Sequence, residues 1–161
     1  MKQSTKKGLW ILSTHAEKAK TLFLEGYNCS QSVLAAFCDT IEMEFETALL
    51  LSSSFGGGMG RLREVCGAVS SMFMIAGLKY GYTSPTDHTK KAEHYALIQL
   101  LAERFKATNG SIICRELLGL DHADGSVPEK RTDAYYKIRP CAELVYEAAE
   151  IMDAYIEERK K

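Results

Sequence analysis

Proline is scarce in this chain: three residues in 161, against twelve glycines. Few breakers interrupt it, no Ser/Gly/Pro linker divides it and no internal repeat is visible. A single domain over 1–161 is therefore expected, with the patterned part at 15–155 and residues 1–13 as an N-terminal extension. An excess of charge is missing as well. Lys and Arg number 20, Asp and Glu 21, and the net charge of −1 leaves nothing to neutralise a phosphate backbone and no acidic tail for a basic partner. Nucleic-acid binding is not expected. Long apolar runs are also absent. The longest, Val65 to Leu78, spans about 14 residues and is interrupted by Gly67, Ser70, Ser71 and Gly77, short of the roughly 20 that a membrane span requires. The basic start at Met1 to Lys7 is followed only by Gly8-Leu9-Trp10-Ile11-Leu12, too short for a secretory apolar region and without a small-residue cleavage site. The chain is expected to stay in the cytoplasm and out of membranes.

No segment alternates with a period of two; the pattern is helical throughout. Ala16, Ala19, Leu22 and Phe23 form one stripe of a helix from His15 to Glu25, with Gly26 as a left-handed residue after its end. Asn28 caps a second helix, with Gln31 at capping-box spacing and Cys29, Val33, Ala36 and Phe37 on one face. Phe45 to about Ser53 is a third. After Phe55-Gly56-Gly57-Gly58-Met59-Gly60, a helix from Arg61 to Lys79 is apolar nearly all round and belongs in the middle of a bundle. A long helix from Thr86 to Lys106 follows a Ser84-Pro85 start and is closed by Asn109-Gly110. A short helix over Ser111–Leu118, a polar loop from Gly119 to about Lys137 and a final helix from Arg139 complete an all-α bundle of about six to seven helices.

What the chain has in unusual number is cysteine: five, at 29, 38, 66, 114 and 141. A domain of this size needs no disulfide staples, and in a reducing cytoplasm cysteines serve as ligands, redox groups or plain core residues. Each lies on or beside an apolar stripe, as a packed cysteine would. Three also fall in first turns of helices: Cys29 after Asn28, Cys114 three residues after Ser111, Cys141 directly after Pro140. There the positive end of the helix dipole favours thiolate, and Arg115 and Arg139 stand beside two of them. Cys66 sits further into its helix. Cys38 lies ten residues into its own, with no such device, and is the spare.

Five pieces occur in order: Gly26-Tyr27-Asn28-Cys29-Ser30-Gln31-Ser32-Val33-Leu34, then Phe55-Gly56-Gly57-Gly58-Met59-Gly60, then Cys66-Gly67-Ala68-Val69-Ser70, then Cys114-Arg115-Glu116-Leu117-Leu118, then Cys141. Over about residues 15–155 the chain resembles the redox-active protein family named for its C_GCAxxG_C_C cysteine pattern. The resemblance implies four characteristic cysteines, here Cys29, Cys66, Cys114 and Cys141, in a redox-active or metal-binding role with no established substrate, often encoded near transporter genes. Cys38 is not carried over. Ser71 stands where the family motif ends in glycine.

No CxxC is present, and the spacings fit no zinc ribbon, thioredoxin site or bacterial ferredoxin run. Four cysteines from separate helices can still converge as two thiol pairs that cycle with disulfides, or as one S₄ site for zinc or an iron–sulfur cluster. A thiol redox centre, possessed by an oxidoreductase or an electron carrier, is the leading expectation because several of the cysteines are tuned separately by helix starts. A metal or cluster module on the same four thiolates is the alternative, and a helical interaction protein with packed cysteines the third. The cofactor stays open among none, zinc and an iron–sulfur cluster; the redox partner is unidentified, and a homodimer is open. The glycine run lacks the ending of a P-loop and follows a helix, so a nucleotide site is not expected. It reads as a tight connection whose free amides at Gly57, Gly58 and Gly60 could hold a small anion or thiolate.

Histidines 15, 88, 94 and 122 contain no HxxxH pair and support no di-iron site. His94, on a face with Leu97, Ile98 and Leu101, is expected to be a hydrogen-bonded boundary residue. Tyr135-Tyr136 and Met72-Phe73-Met74 read as core or interface filling.

Overall fold

Thr14 starts the first helix by a reciprocal cap: its hydroxyl accepts from the Glu17 amide and the Glu17 carboxylate accepts from the Thr14 amide. This helix, α1 (His15–Leu24), buries Ala16, Ala19, Leu22 and Phe23, and Gly26 turns the chain at φ 110°. Asn28 then builds the same box with Gln31 and begins α2 (Cys29–Ala36). The remaining helices are α3 (Cys38–Ile41), α4 (Phe45–Ser52), α5 (Gly67–Tyr80), α6 (His88–Asn109), α7 (Cys114–Leu117), α8 (Asp133–Ile138) and α9 (Cys141–Arg159). A computed structural model describes residues 14–121 and 124–161 of the chain; the N-terminal extension and His122 lie outside the described residues.

The all-α class holds, and α5 is the central apolar helix: Ala68, Val69, Ser71, Met72, Ile75 and Ala76 are all fully buried on it. It packs against α2, α6 and α9, while α1 packs against both α2 and α9. Leu22, Leu34, Phe37, Leu101, Phe105 and Met152 close the core around them. Each such side chain contributes about 1.5–3 kcal/mol by leaving water. Where α2 meets α5, Ser71 Oγ donates to the Ser30 carbonyl at 2.6 Å and lies 2.7 Å from Ser30 Oγ. The serine in place of the motif glycine is thus buried with its hydrogen bonds made.

Leaving aside the short turns Ser53–Phe55 and Gly56–Met59, the described residues form nine helices, more than the six to seven expected, for two reasons. The helix expected through Cys38 breaks at Phe37 (φ −98°, ψ 10°), so Cys38 opens the separate turn α3. The loop expected from Gly119 to Lys137 contains α8, started by the Thr132 hydroxyl accepting from the Tyr135 amide. A third boundary matters more for the site. The helix expected from Arg61 begins only at Gly67. Gly57, Gly58, Met59, Gly60, Arg61 and Arg63 all have φ between 60° and 70°, a left-handed conformation incompatible with a continuous helix. Val65 instead forms an isolated antiparallel bridge with Ile113. Among the described residues no helix is long and apolar enough to cross a membrane.

Candidate functional site

The bridge brings two cysteines together. Its hydrogen bonds run from the Cys66 amide to the Ile112 carbonyl at 2.8 Å and from the Cys114 amide to the Glu64 carbonyl at 2.6 Å. Cys66 and Cys114 are therefore diagonal neighbours on one face of the bridge. Each then begins a helix: Cys66 caps α5, and Cys114 is the first residue of α7. Cys29 opens α2 and Cys141 opens α9. The expectation of three cysteines at helix starts, with Cys66 further in, is corrected: all four motif cysteines stand at helix starts, and so does Cys38 at α3.

All four line a single cavity of about 270 Å³, together with Gly56, Gly57, Gly60, Arg61, Arg63, Arg131, Tyr135 and Arg139. Cys66 and Cys114 are buried, at 5% and 7% exposure, whereas Cys29 and Cys141 are partly open. Cys38 is absent from the lining. The five cysteines are free thiols.

The glycines work by close approach. A Cβ on Gly67 would lie 2.6 Å from Cys29 Sγ and 2.7 Å from the Phe55 carbonyl, so this position lets the Cys29 sulfur rest on the first turn of α5. A Cβ on Gly58 would lie 2.6 Å from Cys114 Cβ, and one on Gly56 2.4 Å from the Asn28 side chain. Gly57 and Gly60 border the cavity while Gly58 is buried behind Cys114. Of the three amides expected to be free, that of Gly60 is used within the loop. The amides of Gly60, Leu62, Arg63 and Glu64 are bonded to the carbonyls of Gly56, Met59, Gly57 and Gly58, because the left-handed turns fold the loop onto itself.

Burial outweighs the helix starts in setting the thiols. Cys141 is pushed up to about 12 by burial and then by Cys29 and Cys114, with Arg139 and Arg131 opposing. Burial also raises Cys66 well above an ordinary thiol, reinforced by Cys29 and Cys141; the amides of Ala68 and Val69 oppose this without closing a capping hydrogen bond. Cys114 is raised by burial despite the Arg63 Nη1 donor 3.6 Å from its sulfur. The expectation that first-turn position favours thiolate is therefore corrected for Cys114 and Cys141, and Cys66 follows the same rule: removing the anion from water costs more than a helix terminus returns. Cys29 is the neighbour common to the other three.

Of the two arginines flagged by adjacency, Arg139 lines the cavity, but Arg115 turns away to Glu64 Oε1 at 3.1 Å. Sequence reasoning missed Arg63, Arg131 and Asp124. Arg63 is buried, held by Asp124 Oδ2 at 2.8 Å from Nε, and Arg61 reaches the same oxygen at 3.4 Å. Those arginines hold the carboxyl of Asp124 below its ordinary range. Arg131 donates to the carbonyls of Phe23 and Tyr27 at 3.0 and 3.1 Å and lies 4.1 Å over the Phe23 ring. Tyr135, expected as filling, faces the cavity. His94 also departs from expectation: its Nδ1 is buried without a hydrogen-bond partner among the described residues, and its ring meets that of Tyr82 at 6.1 Å between centroids.

Among the described residues no three His, Cys, Asp or Glu side chains come together closely enough to hold a metal ion. The four thiols as placed do not fit a one-ion S₄ site.

A helical bundle with four thiols converging from four helix starts on one cavity defines the class. No curated protein and no solved structure matches the chain. The family described as "Putative redox-active protein (C_GCAxxG_C_C)" matches residues 27–155, and the chain belongs to it.

Proposed function

We propose that Cys29, Cys66, Cys114 and Cys141 form a thiol–disulfide redox centre acting in the cytoplasm. The observation that carries this reading is the partition of the cysteines: the four motif residues share one cavity and Cys38 does not. Two thiols of the cavity become a disulfide, releasing two electrons and two protons, and an incoming disulfide takes these up and leaves as two thiols. Cys29 and Cys66 are the first pair. Their support is the seat that Gly67 gives the Cys29 sulfur beside Cys66, and the effect of Cys29 on Cys66, the largest from any charged or titrating neighbour.

The test is a count of alkylatable thiols in anaerobically purified protein before and after mild oxidation, with a visible spectrum and metal content. Loss of two or four thiols per chain, restored by reductant and abolished by Cys66→Ser, is expected. A chromophore or stoichiometric zinc overturns the pure thiol reading in favour of a metal or cluster module. Five thiols that never change, with no metal, leave a packing role.

A further inference from the structure

The thiol cavity is cationic, in a chain whose net charge is −1. Arg61, Arg63, Arg131 and Arg139 line it, while the carboxylates paired with them are two, Asp124 and Glu129. Arg61 and Arg63 share Asp124, and Arg139 pairs with Glu129. The hydrogen bonds of Arg131 go to backbone carbonyls, with no carboxylate bonded to it among the described residues. Guanidinium charge therefore exceeds carboxylate charge around the four thiols. A positive field in a half-closed, low-dielectric recess selects anions, and an anionic guest in turn neutralises the surplus. Packing alone gives no reason to bring four arginines to one recess.

We propose that the cavity takes a small carboxylate-bearing disulfide as its substrate; this rests on the thiol–disulfide reading above. The Cys29 thiolate attacks one sulfur of the guest. The guest S–S bond breaks, a mixed disulfide forms and one half leaves as thiolate. The departing thiolate takes the proton of Cys66, whose sulfur then attacks the Cys29 sulfur, expels the second half as thiolate and leaves a Cys29–Cys66 disulfide. Protons given up by the two protein thiols end on the two departing thiolates. The protein is oxidised by two electrons and the guest reduced by two. A cavity of about 270 Å³ suits a guest at the small end of ligand size.

The experiment uses the reduced full chain and three disulfides of similar size: dithiodiglycolate (dianionic), 2-hydroxyethyl disulfide (neutral) and cystamine (dicationic). Each rate is divided by that of the same reagent with a free small thiol. The dianion is expected to lead the neutral reagent by about tenfold or more at low salt, the scale of electrostatic focusing in clefts, with the dication behind both. At ~1 M salt, where the screening length falls to about 3 Å, the preference should shrink towards unity. Arg131→Gln should cut it several-fold and Arg131→Lys should keep most of it. If Arg131→Gln does not fold, Arg61→Gln and the salt series carry the test. Equal normalised rates for the three reagents, or a preference indifferent to salt and to arginine loss, overturn the anionic substrate. No oxidation by any of them overturns thiol exchange itself. Alkylation by iodoacetate against iodoacetamide reads the charge preference separately, and a ratio equal to that of a free thiol overturns the anionic site.

Discussion

Cys38 and Cys114 each begin a helix of four residues, yet their surroundings are opposite in sign. Cys114 has Arg63 at hydrogen-bonding distance and Arg139 nearby. Cys38 has Asp39 and Glu44, which add to its burial and push it up to about 11. At the Cys38 end, His15 ties three helices: its Nδ1 lies 2.6 Å from Asp153 on α9, its Nε2 3.0 Å from Asp39 on α3, and its ring stacks on Phe37 at 4.2 Å. That end uses charge to clamp helices. The other gathers arginines around thiols. A helix start is thus insufficient to assign a cysteine chemistry; the charges that tertiary structure places around it decide.

The comparison breaks most sharply at the thiols. Cys29→Ser and Cys66→Ser should each abolish the reversible loss of a Cys29–Cys66 thiol pair, and Cys38→Ser should leave it intact, as read by alkylation and mass spectrometry. If Cys38→Ser has the same effect as Cys66→Ser, the division between the two ends is wrong. Next come two glycines of one helix. Gly67→Ala must move the Cys29 sulfur or the Phe55 carbonyl and should cost about 1–3 kcal/mol in denaturant unfolding. Gly77→Ala meets nothing nearer than His94 Nε2 at 4.0 Å and should stabilise by up to about 1 kcal/mol. Equal effects would remove close approach as the reason for the glycine after Cys66. Ser71→Ala leaves Ser30 Oγ without its buried partner, for about 1–2 kcal/mol. The smallest effect concerns pH. Burial lowers His15, but Asp153 and Asp39 together hold it above 6.5. The protonated histidine thus favours the folded chain fully below pH 6.5, and this contribution disappears as pH rises through the raised folded value. Stability measured from pH 6 upward should show this decline in the native chain and lose it in His15→Gln.

Most of the helical pattern was legible because caps and stripes are local. Asn28 and Gln31 lie three residues apart, and Gly110 stops α6 as a left-handed residue at φ 82°; the equally local Thr14–Glu17 cap was not read. The start of α5 was not legible. Arg61 to Glu64 run directly into the apolar stretch from Val65, and only the distant bridge to Ile113 and the left-handed loop show that no helix begins there. The same holds at the site. The cysteines were identifiable from their ordered motif, but Arg63 meets Asp124 across 61 positions and Arg131 meets Phe23 across 108. Arg115 illustrates the converse, since it adjoins Cys114 in sequence and turns to Glu64 instead.

The pairing of α1 with α9 sets an order of events during synthesis. Cys141 opens α9, so the cavity lacks one wall until α9 has emerged and docked beside α1. Before Arg131, Arg139 and Cys141 themselves emerge, Cys29, Cys66 and Cys114 have already been made and lack those neighbours. Any disulfide formed in that interval draws only on these three and Cys38, so premature oxidation in the nascent chain would commit a different set of partners from the one the finished fold assembles.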